Sequence, residues 1–183
     1  MKPSRLLIVY ASKHGQTKKI ASRIFEIANA ADVEANVVSI ENIGEYRIES
    51  YDALIVTGSV HFGRHDRKLE KFVERKLSTI ERMRSAFLSV SGAAATDGGK
   101  AEADRYVHDF SRRTGWVPEI HQTVGGAEPY TKYNFLTRIL MRSIARKHGR
   151  SVDVHRDYEF TDWNVVQQFA QGFIGYASAK KSA

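Results

Sequence analysis

The chain carries no cysteine in 183 residues. That excludes disulfides, thiolate metal sites and a cysteine nucleophile, and it suits a cytosolic location. No metal site is expected. Only three prolines are present, and no proline-rich linker, low-complexity tract or internal repeat can be read. Long hydrophobic runs are missing too: nothing approaches the roughly 20 apolar residues that cross a bilayer. The opening Met-Lys-Pro-Ser-Arg is basic and precedes an apolar run. That run covers only Leu6 to Tyr10 and ends in a polar loop with no small-residue cleavage site. It reads as a first strand rather than a secretory signal. What is present is an ordinary globular balance. Apolar residues make up 42% and charged residues 27%, which argues against disorder. The length suits one domain with a full core. The expected organisation is a single domain over 1–177 and a frayed polar tail over 178–183.

The charge is uneven. Lys and Arg number 28 against 21 Asp and Glu, a formal +7. Between Pro129 and Arg150 stand Lys132, Arg138, Arg142, Arg146, Lys147 and Arg150, with no Asp or Glu. That stretch holds nearly the whole excess. It suits an anionic partner (a phospholipid surface, nucleic acid or an acidic protein) or a plainly solvated helix face.

Strand-like and helix-like runs alternate along the chain. Arg5 to Tyr10 is continuously apolar, as a parallel strand buried on both faces should be. Thr17 to Ala30 has Ile20, Ile24 and Ile27 at helical spacing. Val33–Ile40, Ala53–Thr57, Ala86–Val90 and Trp116–Val124 read as four further strands. Lys68–Met83 and Ala101–Thr114 read as helices between them, and Thr161-Asp162 opens a last helix with Asp162 as its N-cap. Strands separated by helices imply right-handed crossovers. The expected fold class is therefore α/β: a doubly wound, five-stranded parallel sheet of order 2-1-3-4-5 with helices on both faces. Residues 129–154 interrupt the alternation after strand five as an inserted basic segment.

Three loops carry the chemistry. After strand one comes Ser12-Lys13-His14-Gly15-Gln16-Thr17, two hydroxyls and a glycine ahead of a helix. Free amides and the positive end of the helix dipole favour a phosphate there. Gly15 permits close backbone approach. The same residues also build ordinary caps and turns. Neither G-x-x-x-x-G-K-[ST] nor G-x-G-x-x-G is present, so ATP hydrolysis and dinucleotide binding are disfavoured. The second loop, Gly58 to His65, carries His61 and Phe62, which can flank a flat ring or simply pack. The third is Ser91 to Thr96. In the expected strand order all three border the switch point, where ligands bind in open α/β sheets.

Ser12-x-x-Gly15-x-Thr17 and the glycine-bounded loop Gly58 to Gly63 resemble the flavodoxin family. The resemblance implies FMN, with its phosphate in the first loop and its isoalloxazine ring between the second and third. It makes Ser12, Lys13, His14, Gly15, Gln16 and Thr17 phosphate-binding. Gly58, Ser59, Val60, His61, Phe62 and Gly63, with Ser91, Gly92 and Ala93, then border the ring. A narrower resemblance is to the branch of bacterial enzymes that oxidises a porphyrinogen with a menaquinone-type quinone in haem biosynthesis. It is carried along nearly the whole chain by His14-Gly15-Gln16-Thr17, Gly58 to Gly63, Gly126-Ala127, the basic insertion and Tyr158-Glu-Phe-Thr161-Asp162-Trp163. The chain departs from that branch at Glu128-Pro129, where a basic residue is usual, and in the small residues of its third loop. The resemblance implies a porphyrinogen substrate and a quinone partner. No catalytic acid or base can be named; His61 and His65 stand in the second loop and read as binding or surface histidines.

In the insertion, Arg138, Arg142 and Arg146 recur every four residues beside Phe135, Leu136, Ile139, Leu140 and Ile144. That is an amphipathic basic helix, suited to a membrane surface, a cleft or the edge of the sheet. Each basic residue near an anionic bilayer contributes about 1 kcal/mol. Lys132, Arg138 and Arg142 are candidate anchors for substrate propionates or lipid phosphates. The expectation is a cytoplasmic protein peripherally associated with the inner face of the cell membrane. Three rivals stay open, one of them an FMN-binding quinone reductase paralogue without porphyrinogen activity. A one-electron carrier would meet partners through an acidic surface, which the positive balance disfavours. A flavin-free binding module for nucleic acid has only charge in its favour, so no nucleic-acid partner is expected. Oligomeric state is not legible.

Overall fold

Leu6, Leu7, Ile8 and Val9 have no accessible surface in the computed structural model of the chain. It describes residues 5–128, 139, 143 and 157–178. These four residues form most of β1 (Arg5–Ala11), which pairs in parallel with β2 (Glu34–Ser39) on one side and β3 (Ala53–His61) on the other. A short β4 (Arg64–His65) turns back antiparallel on β3. Beyond β3 lie β5 (Arg84–Ser91) and β6 (Ile120–Gly125), both parallel. The sheet order is β2-β1-β3-β5-β6. With β4 set aside, this is the expected order of five parallel strands.

Side chains of a strand alternate between faces, and the core divides accordingly. Leu6, Ile8, Ile55 and Leu88 pack against Ile20, Ile24 and Ile27 of α1 (Gln16–Ala30) and against Val166, Phe169 and Phe173 of α4 (Trp163–Ser178). Leu7, Val9, Leu54, Val56 and Phe87 meet Leu69, Phe72 and Val73 of α2 (Arg67–Ile80) and Val107 and Phe110 of α3 (Lys100–Thr114). Each such side chain is worth roughly 1.5–3 kcal/mol when fully buried, so the sheet is held by two cores. Asp162 caps α4 as expected, its carboxylate accepting from the amides of Asn164 at 2.9 Å and Val165 at 3.3 Å.

Two expectations are corrected. Strand three does not stop at Thr57: Gly58 keeps pairing with Ala11 and Ser89, and Ser59 with Val90. The residues from Gly58 are thus a strand end and hairpin rather than an open loop. Trp116 does not begin strand five. Pro118 offers no amide to a ladder, and Trp116 sits buried against the rings of Phe87 and Phe110 while β6 starts at Ile120.

The chain flanking the insertion pairs as β7 (Ala127–Glu128) with β8 (Tyr158–Glu159), antiparallel. Between them Ile139, Ser143 and Asp157 are described, all exposed, the first two helical. The expectations for Lys132, Arg138 and Arg142, and for the tail beyond Ser178, lie outside the described residues. Among the described residues no helix is long and apolar enough to cross a membrane. Parallel pairing brings the carboxyl ends of β1, β3, β5 and β6 to one edge.

Candidate functional site

At that edge α1 begins, among the described residues, with no side-chain cap on its first amides. Its N-cap, Gly15, has φ 98°, a left-handed conformation open to glycine. Ser12 Oγ accepts from the Gly15 amide at 3.0 Å and folds the loop back on itself. Thr17 is buried, and among the described residues its hydroxyl has no partner. A buried polar group left unpaired costs about 1–3 kcal/mol. An orphaned hydroxyl beside uncapped amides, at the positive end of a helix, is the chemistry of an anion site. The loop is also braced from behind. Gln16 Nε2 donates to Thr161 Oγ1 at 2.8 Å, and Thr161 Oγ1 donates to the Gly125 carbonyl at 2.8 Å. Glu159 accepts from Lys19 Nζ at 3.2 Å and from the Trp163 indole at 3.0 Å. Burial works against the Glu159 charge, yet hydrogen bonds from Lys19, Trp163 and Gln16 outweigh it and hold the carboxyl below its usual range.

The second wall is the β3–β4 hairpin. Its turn residues Phe62 and Gly63 have φ 50° and 77°, the two positive values of a type I′ turn. Phe62 is a bulky residue in left-handed backbone, a strain of order 1 kcal/mol, and it is 75% exposed. Lys13 Nζ lies 5.9 Å from its ring centroid. Arg64 Nε grips both carboxylate oxygens of buried Glu70 at 3.1 and 3.0 Å, and Arg113 approaches at 3.6 Å. That clamp fastens the hairpin to α2 and α3. Gly58 lies inside the sheet, where a Cβ would come within 2.6 Å of Leu69.

The two histidines of this segment differ. His61 Nε2 is 3.0 Å from Ser59 Oγ, and its ring stands edge-on to His14 at 5.3 Å. Burial, aided by His14 and Lys13, pushes it down to about 4. His65 is neither a surface nor a binding histidine, contrary to expectation. It is buried between Phe87 and Phe110, with Nε2 3.0 Å from Ser89 Oγ. Burial pushes it down to about 3. The hairpin pairs His65 with Val60 and His61 with Arg64, which puts the two histidines on opposite faces.

The third wall is Ser91-Gly92, where Ser91 Oγ accepts from Ala94 N at 3.2 Å. A narrow crevice of about 40 Å³ runs between the walls. It brings together Ser12, His14, Gln16 and Thr17, then Ser59, Val60 and His61, then Ser91 and Gly92. Lys13, Phe62 and Gly63 are exposed at the loop tips, and Ala93 opens a 3-10 turn. Val90, Gly126 and Ala127 also line the crevice and were not among the expected site residues. The place of strand five beside strand four was the available signal for Gly126 and Ala127. A larger cavity of about 470 Å³ lies on the outer flank of α1, bounded by Gly15, Lys18, Lys19, Ser22, Arg23, Glu26 and Trp163. There Lys19 and Arg23 are already paired with Glu159 and Glu26. The narrower crevice is the candidate site, because the orphaned hydroxyl, the uncapped amides and the titratable ring converge on it. Among the described residues no group of His, Asp and Glu is arranged to hold a metal ion.

Residues 7–155 match the family model described as a flavodoxin domain. The chain is 26% identical to protoporphyrinogen IX dehydrogenase [quinone] of Escherichia coli strain K12, over 91% of this chain and 93% of that one. It is 29% identical to the protein of the same name from Leishmania major, over 92% of this chain and 74% of that one. In fold it is similar to a short-chain flavodoxin associated with a PDU bacterial microcompartment, with TM-score 0.57, 15% identity, and coverage of 95% and 99%.

Proposed function

The chain belongs to the flavodoxin family, whose cofactor is FMN, and from that premise we propose that it oxidises protoporphyrinogen IX to protoporphyrin IX with a menaquinone-type quinone as acceptor, in haem biosynthesis. The observation that carries this reading is coverage. Two proteins named for that reaction align with more than nine-tenths of the chain, whereas the likeness to flavodoxin structures rests on fold.

The residues present fit the cofactor. The uncapped amides of α1, the orphaned Thr17 hydroxyl and the left-handed Gly15 suit its phosphate. Ser12, Lys13, His14, Gly15, Gln16 and Thr17 would hold that end. Gly58, Ser59, Val60, His61, Phe62 and Gly63, with Ser91, Gly92 and Ala93, would border the ring. When bound, FMN supplies the acceptor for hydride equivalents leaving the porphyrinogen and the donor to the quinone. The chain contributes binding, orientation and proton handling. Arg64 and Arg113 on Glu70 keep the hairpin wall in place, and Thr161 keeps Gln16 in place. Lys132, Arg138 and Arg142 are proposed to meet propionates or lipid phosphates.

Anaerobic turnover of protoporphyrinogen IX by the FMN-loaded protein with menadione, followed by porphyrin fluorescence, tests the reading. Porphyrin must form faster than in protein-free controls. A loaded protein that forms none, yet passes electrons to a redox partner, is a carrier instead. The basic stretch is further proposed to hold the chain beside an anionic membrane. Co-sedimentation should then be strong with phosphatidylserine vesicles at low salt, weak at high salt and negligible with neutral vesicles. Equal pelleting with both vesicle types removes the membrane part alone.

A further inference from the structure

The crevice holds one ionisable ring in the wall assigned to the flavin ring. His61 ends β3, turns its Nε2 to Ser59 Oγ at 3.0 Å and stands edge-on to His14 across the gap. We propose that His61 is the proton acceptor of this site, binding a proton when the cofactor is reduced and returning it when the quinone reoxidises the cofactor. The inference deepens the proposed function and rests on the flavin-binding part of it.

The chemistry of the step requires such a group. A carbon of the porphyrinogen is oxidised as its C–H bond breaks and a hydride equivalent passes to the flavin. The adjoining pyrrole N–H bond then breaks, its electron pair stays in the macrocycle, and the proton leaves. Water is a poor receiver inside a narrow crevice. His61 Nε2 receives the proton in this scheme. Ser59 makes that tolerable, because a hydroxyl can donate or accept. It donates to Nε2 while the ring is neutral and accepts from Nε2–H once the ring is charged.

The surroundings set the direction. Among the described residues, the titratable groups acting on His61 are Lys13 and His14 from the loop after β1, and His65 and Asp66 from the β4 side; Arg64 is its partner across the hairpin, its guanidinium held by Glu70. The third wall, Ser91, Gly92, Gly126 and Ala127, brings no charge. Burial, His14 and Lys13 work against a charged ring, and Asp66 favours it. His61 is therefore neutral and ready to accept before turnover. Electrons added to a neighbouring flavin bring negative charge, the one change that favours the imidazolium.

The test uses FMN-loaded protein with isotope-labelled histidine, titrated by NMR in the oxidised state and after dithionite reduction. The His61 midpoint should rise by at least one pH unit on reduction. In parallel, the FMN midpoint potential should depend on pH more steeply in the wild type than in His61→Gln in the window between the two His61 midpoints, which opens at about pH 4. Ser59→Ala, which keeps the ring but loses its acceptor, should show a smaller rise than the wild type. An unchanged His61 midpoint in the two states, or identical potential–pH slopes, overturns the inference while leaving FMN binding intact. A protein that takes up no FMN overturns both. Neither measurement uses porphyrinogen, so failure of the porphyrin assay is read separately.

Discussion

Thr17 and His65 are both buried with an unpaired polar atom, and the two atoms mean different things. The Thr17 hydroxyl sits where α1 offers uncapped amides. Thr17→Val keeps the shape and removes the orphan. The apoprotein should be as stable as the wild type, or more stable by up to about 1 kcal/mol. FMN affinity should fall about tenfold, as expected for one lost hydrogen bond to a charged group. Riboflavin, which has no phosphate, should bind as before. Fluorescence-quenching titrations with the two flavins check this, and an equal loss for both would refute it. His65 is a core residue instead. In the unfolded chain it titrates near the ordinary value of about 6.5, but in the fold it stays neutral down to about 3. Between those values the unfolded chain binds more protons. Stability is thus fully present above about 6.5 and is lost as the pH falls towards 3, by up to about 1.4 kcal/mol per pH unit. His61, lowered to about 4, acts in the same direction. Denaturant midpoints of the apoprotein should fall between pH 7 and 4, less steeply in His65→Gln.

Between elements, the β7–β8 ribbon and α4 are fastened to the start of α1 by two kinds of contact. The Lys19–Glu159 pair joins side chains that are 64% and 38% exposed, and exposed pairs are worth about 0–1 kcal/mol. Thr161 is half-buried, and its single hydroxyl links Gln16 with the Gly125 carbonyl. Thr161→Val removes both of these bonds and should cost about 1–2 kcal/mol. Glu159→Gln should cost under about 1 kcal/mol. Denaturant unfolding of the two variants gives the ranking, and the reverse order would show that the ion pair is the true fastening. Sequence spacing could mark Thr161-Asp162-Trp163 as a helix start, and Asp162 does cap α4. It could not show that Thr161 reaches back across 36 residues to Gly125.

For the molecule as a whole, two cores on one sheet account for the fold, and the crevice at its edge accounts for ligand linkage. Anything that binds only the folded chain stabilises it by mass action. Free FMN at 100 times its Kd should raise the unfolding free energy by about 2.7 kcal/mol. For a chain of this size that is roughly 5–10 °C in Tm. Thermal melts by circular dichroism with and without FMN check it, and riboflavin at the same concentration should give a smaller shift. An absent shift would mean that the crevice does not take the cofactor.

The sequence by itself determined the layers, the strand order and the place of the glycine- and hydroxyl-bearing loop ahead of α1. Those features rest on local chemistry: alternating apolar runs, helical spacing, and glycine with hydroxyls ahead of a helix. Only the tertiary structure decided which residues of the second segment face the crevice and which face the core. Val60 and His61 pair with His65 and Arg64 across a tight turn, and this pairing sends one histidine to the ligand side and the other into the aromatic core. The same contacts lowered both proton affinities. Burial and neighbouring charge belong to the packed chain, and no spacing of letters encodes them.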